Sequence, residues 1–327
     1  MTRLLLLALA WGVLAPGEPV NDPSTTNPVN PRAGTRAPEH QSNLRTPSGD
    51  TAPPGAALAA MVDTERAFAR RATVVGWKQA FLEYFAESAV GFDGETAGPA
   101  REQIRQAPDP AADLQLLWEP RYGGIAASGD MGWLTGPSTT INPARNSGAP
   151  RYGNYASVWK RQADGGYKVV MDVGIGTPSE PPFAPGFTGA PQPAGRAGAG
   201  TRASAETSLR AADAVLTSAA RAGQAHAYRQ RLADSARLHR QGVLPLVGKT
   251  AALAWLRTQP AYTGGETRFS EASASLDLGY TWGSYALAAT PDPAGAPGTA
   301  EKGFYARVWM RGRDGAWTVV LDVLQPQ

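Results

Sequence analysis

From residue 58 onward, apolar positions recur at helical spacing. Leu58, Met61, Val62, Phe68 and Ala69 fall mostly on one helix face, with Glu65 inside the same stripe. Gly76 breaks the run, and WKQAFLEYFAES, beginning at Trp77, predicts a second helix with Phe81, Tyr84 and Phe85 on one side. Pro99 stands where a first-turn proline opens a third short helix, PAREQIRQA. The texture then changes. LQLLWEPRY, GIAAS, MGWLTGPSTT, YASVWKRQ and YKVVMDV are short, turn-bounded runs that read as strands. Asp164-Gly165 is a hairpin turn signal between the last two. The same plan then returns as LRAADAVLTSAARA, Gly223, AHAYRQRLADSARL and GKTAALAWLRT, followed by strands and the matching turn Asp314-Gly315.

The return is a duplication. YASVWKRQADGGYKVVMDV (155–173) and YARVWMRGRDGAWTVVLDV (305–323) agree at eleven of nineteen positions. Trp159 and Trp309 lie 150 positions apart, as do Asp172 and Asp322. Upstream, SGDMGWLTG (128–136) matches SLDLGYTWG (275–283), and FAESA (85–89) matches LADSA (232–236), both at 147. The three-residue difference reads as a loop insertion. Two domains are expected, 57–178 and 205–327, joined by a Pro/Gly linker over 179–204. Each is α+β, with about three N-terminal helices covering one face of a curved, mostly antiparallel sheet.

Composition changes the picture at the N-terminus. Arg3 followed by the apolar run Leu4–Leu14, with Ala15 and Gly17 before a cleavage point, predicts a signal peptide over 1–17 and an exported protein, periplasmic or extracellular. The run is too short for an ordinary membrane span, and none is expected after its removal. Residues 18–56, rich in Pro, Asn, Thr and Ser, bury too little to offset chain entropy and read as a disordered leader. The absence of cysteine excludes disulfides, thiolate nucleophiles, Cys-based metal sites and a lipid-anchoring lipobox. Net charge is +3 with no basic run of five, so no nucleic-acid partner is expected.

The helical start, SGDMGWLTG, and the terminal phrase with its trailing Pro178 resemble the nuclear transport factor 2-like superfamily. The closest likeness is to its SnoaL-like and ketosteroid isomerase-like branch and the secreted bacterial domains of unassigned function there. The resemblance covers nearly all of both copies. It implies two tandem cone-shaped domains, each a strongly bent sheet wrapped round helices with a pocket at the open end. Members of such a fold include isomerases, cyclases, dehydratases, scaffolds and ligand binders, so the fold leaves function open.

Alternation along the final hairpin sorts side chains by face. An Asp-Gly turn pairs Ser157 with Asp172 and Trp159 with Val170, and in the second copy Arg307 with Asp322 and Trp309 with Val320. One face then carries Tyr155, Ser157, Trp159, Val170 and Asp172, the other Ala156, Val158, Val169, Met171 and Val173. The mixed face is assigned to a pocket and the apolar face to intrachain contact between the copies. The reverse assignment, apolar face against the helices, stays open. Candidate ligand-binding residues are Tyr155, Trp159 and Asp172 in the first copy and Tyr305, Trp309 and Asp322 in the second. Asp172 and Asp322 are candidate catalytic carboxyls, because a carboxyl held against aromatic rings has its pKa raised toward general acid or base use. The structural alternative pairs Asp322 with Arg307 and Asp172 with Ser157. Asp130 and Asp277 read as turn-capping residues.

Of the three histidines, His40 falls in the leader, and His226 and His239 stand where the first copy has Gln79 and Phe92. His239 is a third catalytic candidate, with a solvated helix-end residue as the alternative. No ligand spacing implies a metal, and no cofactor is expected. No Gly-x-Ser-x-Gly elbow, phosphate-binding glycine loop or His-Glu-x-x-His motif is present. Tyr84, Tyr122 and Tyr155 qualify as oxyanion donors only by residue type. Three readings follow: a pseudo-dimer binding a small apolar or amphipathic ligand in one or both cones; an isomerase, cyclase or dehydratase using a pocket Asp; or an interaction protein with filled pockets. An open cavity holding Asp172 or Asp322 beside Trp favours the second, and one filled by Trp77, Trp118 or Trp133 the third.

Overall fold

The apolar stripe of the first helix does form a helix in the computed structural model, which describes residues 54–92, 96–111, 113–192, 200–290 and 298–327. The signal-peptide segment, His40 and all but the last three leader residues lie outside these. Helix α1 (Pro54–Val75) buries Met61, Val62, Phe68 and Ala72. After Gly76, whose φ of 82° ends the first helix, α2 (Trp77–Tyr84) stops sooner than its apolar spacing predicts. Phe85–Phe92 is instead a strand, β1. The correction repeats in the second half, where α4 (Arg202–Ala219) and α5 (Gln224–Arg229) are followed by β9 (Leu232–Arg240). In both cases a distant partner decides. β1 pairs in parallel with the strand at Tyr167–Gly176, and β9 with the strand at Trp317–Pro326. Those backbone bonds override a local helical pattern.

The first sheet contains β1, β2 (Ala97–Pro99), β3 (Gln115–Trp118), β4 (Tyr122–Ile125), β5 (Met131–Ile141), β6 (Arg151–Arg161), β7 (Tyr167–Gly176) and β8 (Thr188–Gly189), with α3 (Ala100–Gln106) after β2. Its order is β2-β1-β7-β6-β5-β4-β8, and β3 also pairs with β5. β8 falls inside the expected linker and pairs in parallel with β4. The second sheet contains β9, β10 (Leu246–Val247), β11 (Tyr262–Ala272), β12 (Leu278–Leu287), β13 (Lys302–Arg311) and β14 (Trp317–Pro326), ordered β10-β9-β14-β13-β12-β11, with α6 (Lys249–Leu256) after β10. The fold is α+β, mostly antiparallel, with one parallel strand pair beside the final hairpin of each half. The repeated motif keeps Gly136 and Gly283 for a steric reason. A Cβ at either would stand 1.9 Å from a carbonyl oxygen, of Glu119 or Glu266.

The terminal hairpins turn on Gly165 and Gly315, with φ of 87° and 80°. Ser157 faces Asp172 and Arg307 faces Asp322 in register, but Trp159 pairs with Val169 and Trp309 with Val319. A bulge after Val158 and after Val308 skips one residue, so the expected pairings with Val170 and Val320 are displaced. The skip turns Val169 inward with Trp159, against the helices, and Val170 outward with Ala156, Val158, Met171 and Val173.

That outward face packs on its counterpart. Val158, Val170, Met171 and Val173 share one buried cluster with Val308, Val320, Leu321 and Val323. Phe92 meets Trp282 and Phe304 at 5.7 and 5.6 Å between ring centres. Arg237 lies 4.2 Å over the Tyr122 ring. The turns are capped locally as expected, Ser128 Oγ donating to Asp130 Oδ1 and Ser275 Oγ to Asp277 Oδ1, and they also cross-link the halves. Ser128 N donates to Ser275 Oγ and Ser275 N to Ser128 Oγ, each at 3.1 Å. Ala127 N donates to Asp277 Oδ2, and Ala274 N to Asp130 Oδ2, each at 3.0 Å. These reciprocal pairs are related by the 147-residue offset of the repeat, as a local two-fold requires. The described residues all belong to one compact unit.

Candidate functional site

The helices of the first half do not fill the space they cover. Trp77, Phe81 and Ile104 from that layer, with Phe85 from β1 and Trp118 from β3, wall a cavity. Phe68 organises the wall, with its ring centre 4.9 Å from that of Phe81 and 4.8 Å from that of Trp118. The cavity and the open space at its mouth together hold about 740 Å³ free of atoms. That is room for several waters or one small ligand. Four residues bring polar side chains of other kinds to the lining: Ser138, Tyr155, Asp172 and Gln325. Ser138 Oγ, Tyr155 Oη and Gln325 Oε1 are buried without a hydrogen-bond partner.

Asp172 and Tyr155 lie on the inward face of the β6–β7 hairpin, diagonal to one another, Tyr155 opposite Gly174 and Asp172 opposite Ser157. Burial first, and the nearby Glu65 second, hold the Asp172 carboxyl well above the usual carboxylate range. Burial, with Glu65 and Asp172 adding to it, also pushes the Tyr155 phenol well above its ordinary value. Both shifts favour the neutral O–H form of the group that faces the cavity. The expected Asp172–Ser157 bond does not form, because Ser157 Oγ donates to Glu65 Oε2 at 2.9 Å.

Glu65 stands behind the lining and was not among the candidates. Its signal in the sequence was a carboxylate inside the apolar stripe of the first helix. It is 1% exposed. Its Oε1 accepts from Trp118 Nε1 at 2.6 Å, and its Oε2 also accepts from Trp159 Nε1 at 2.8 Å. Burial raises its pKa to about 7 against those three donors. The folded chain thus holds a proton that the unfolded chain releases near 4.5. Stability from this group is complete below that value and is lost as pH rises to about 7, by about 3 kcal/mol. Urea unfolding from pH 5 to 8 should show this decline, and Glu65→Gln should flatten it. An unchanged slope in the variant would refute the assignment.

Trp159 is fully buried on Glu65 and does not line the cavity. Of the tyrosines chosen by type, Tyr84 stacks on Phe68 at 4.8 Å and Tyr122 lies under Arg237, so only Tyr155 reaches the cavity. Trp77 and Trp118 form walls without closing it, and Trp133 belongs to the cluster between the halves.

The second half has no matching space around Tyr305, Trp309 and Asp322. Arg307, where the first half has Ser157, fills it. Its Nε donates to Asp322 Oδ2 at 2.6 Å, and its Nη1 to Asp213 Oδ1 at 2.9 Å and Thr217 Oγ1 at 3.0 Å. Its Nη2 donates to Tyr228 Oη at 3.2 Å. Arg240 Nη2 closes the set on Asp322 Oδ1 at 2.6 Å. Burial alone would raise the Asp322 carboxyl, but Arg240 and Arg307 hold it below its ordinary value. Asp322 is therefore an ionised group paired across the hairpin with Arg307, and neither it nor Tyr305 nor Trp309 lines the first-half cavity.

His239 is not at a helix end. It lies in β9 beside Val323, is 1% exposed, and neither ring nitrogen has a partner. Burial, then Arg237 and Arg240, lower its pKa to about 3, so it is neutral at physiological pH and lines none of the larger cavities. Among the described residues no three His, Asp or Glu side chains group as metal ligands, and no helix is long and apolar enough to cross a membrane.

No family model matches this sequence, and no curated protein matches it. Solved structures do. A conserved protein from Planctomyces limnophilus DSM 3776 is 17% identical over 38% of this chain and 100% of its own, with a TM-score of 0.32. A ketosteroid isomerase-like protein from Erwinia carotovora atroseptica SCRI1043 is 13% identical over 37% of this chain and 95% of its own, with a TM-score of 0.33. An NTF2-like protein of unknown function from Pseudomonas putida KT2440 is 17% identical over 38% of this chain and 87% of its own, with a TM-score of 0.31.

Proposed function

We propose that the protein binds a small, neutral, largely aromatic or alicyclic ligand bearing an oxygen acceptor, in the cavity of its first half. The observation that carries the reading is the placement of the Asp172 carboxyl, its acid form favoured by burial, in an aromatic-walled cavity beside the unpartnered Tyr155 hydroxyl. Two neutral donors suit a carbonyl or ether oxygen. A carboxylate ligand would find no cation in the lining to offset its desolvation. The second half serves as a structural partner that covers the outer face of the first sheet, its own cone closed by Arg307. The arrangement is a pseudo-dimer with one ligand site.

Acetophenone is a suitable probe, since it carries one acceptor and does not titrate. Its binding, followed by the fluorescence of Trp77 and Trp118, should weaken about tenfold as pH rises through the upward-shifted ionisation of Asp172, the value of one hydrogen bond. Asp172→Asn keeps a donor and should bind without that pH dependence. Equal pH dependence in the variant, or no binding in either, defeats the proposal. A catalytic reading is favoured by the same raised carboxyl, which can pass a proton to and from a ligand. Against it, no second carboxylate and no histidine lines the cavity. Deuterium exchange at the acetophenone methyl group decides between them. Exchange lost in Asp172→Asn marks catalysis, and exchange at the buffer rate marks binding alone.

A further inference from the structure

One member of the cavity lining comes from the other half of the chain. Gln325 lies near the end of β14, opposite Phe304 on β13. Along β14 the side chains alternate, Asp322 and Leu324 toward the helices of the second half, Leu321 and Val323 toward the first half. Gln325 continues the second set and is the position where an apolar strip turns polar. Its first-half equivalent by the 150-residue offset is Ile175, which is fully buried. Gln325 is 5% exposed, lines the first-half cavity, and its Oε1 has no hydrogen-bond partner.

A buried amide oxygen without a partner is unfavourable, and an apolar side chain at that place would join the surrounding cluster at no such cost. The amide is explained if something in the cavity donates to it. Nothing else in the lining does so, and Ser138 Oγ and Tyr155 Oη are unpartnered in the same space. The polar atoms are also of different kinds. Tyr155 and Asp172 present hydroxyl donors, while Gln325 presents an acceptor.

We infer that Gln325, carried by the second half, is a specificity-determining residue of the ligand site in the first half, accepting a hydrogen bond from a hydroxyl or N–H of the ligand. The inference rests on the binding proposal above and narrows it. The ligand class is a neutral ring compound with an acceptor for Asp172 and Tyr155 and a donor for Gln325. The site is then complete only when the two halves are docked, which gives the duplication a role in recognition as well as in packing.

The test uses the full chain at pH 6 with acetophenone, 3-hydroxyacetophenone and 4-hydroxyacetophenone. The wild type should prefer the better of the two hydroxylated probes over acetophenone by about tenfold, one hydrogen bond. Gln325→Leu should erase that preference, leave acetophenone affinity within about twofold, and leave the melting temperature equal or higher, because it removes an unpartnered buried group. A preference that survives in Gln325→Leu overturns the inference and leaves the binding proposal standing. So does a wild type that binds acetophenone without preferring either hydroxylated probe, which would mean that water alone satisfies the amide. A wild type that binds none of the three overturns both.

Discussion

Arg307→Ala is expected to lower the unfolding free energy by about 3–5 kcal/mol, the range for removing one member of a buried ion-paired set. Arg307, Asp213 and Asp322 have no exposed side-chain surface. Two arginines and two aspartates balance there, and deleting one guanidinium leaves one carboxylate uncompensated in a dry core, together with the Tyr228 and Thr217 hydroxyls that faced it. Arg307→Lys should also destabilise, because a single ammonium cannot reach Asp213, Thr217, Asp322 and Tyr228 at once. Urea denaturation monitored by circular dichroism measures both. A loss under about 1 kcal/mol for the alanine variant would show that water enters and replaces the guanidinium. Acetophenone affinity should be unaffected in the folded fraction, since Arg307 does not line the first-half cavity.

Cutting the chain after residue 192 should have the second large effect. The fragment 54–192 would expose Val158, Val170, Met171 and Val173, all buried in the intact chain. It would also lose the partners of Ser128 and Asp130. Soluble monomers rarely carry contiguous apolar patches of this kind. Sedimentation velocity should therefore find the fragment dimeric or larger at micromolar concentration and the whole chain monomeric. The tether keeps the two faces at high effective concentration, so the intramolecular contact outcompetes association between chains. A monomeric, natively folded fragment would show that the contact between the halves is dispensable.

Several features needed nothing beyond the order of residues. The duplication is a property of the string itself. The change from helical to alternating spacing places the first helices of each half and the long strands after them, and the hairpin turns follow from Asp-Gly. The separation of Tyr155, Trp159 and Asp172 from Ala156, Val158 and Met171 follows from the two-residue period of a strand. These are local relations, fixed within a few residues. Other features depend on residues far apart in the chain. The apolar spacing from Trp77 suits a helix running to Ser88, but the free edge of β7 makes the chain a strand from Phe85 on, as the edge of β14 does from Leu232. A bulge after Val158 exchanges the faces of Val169 and Val170, a shift that strict alternation does not contain. Asp172 and Asp322 occupy equivalent places in nearly identical phrases, and their roles divide according to what stands opposite. Ser157 leaves the cavity open and the Asp172 carboxyl shifted toward its acid form, whereas Arg307 fills the space and holds Asp322 toward its ionised form. Glu65 and Gln325 reach the site from 92 positions before Ser157 and from the other sheet. A carboxylate on a helix and an amide at the end of a strand announce nothing by themselves. Their chemistry comes from desolvation and from missing or distant partners, and those exist only once the chain has closed around them.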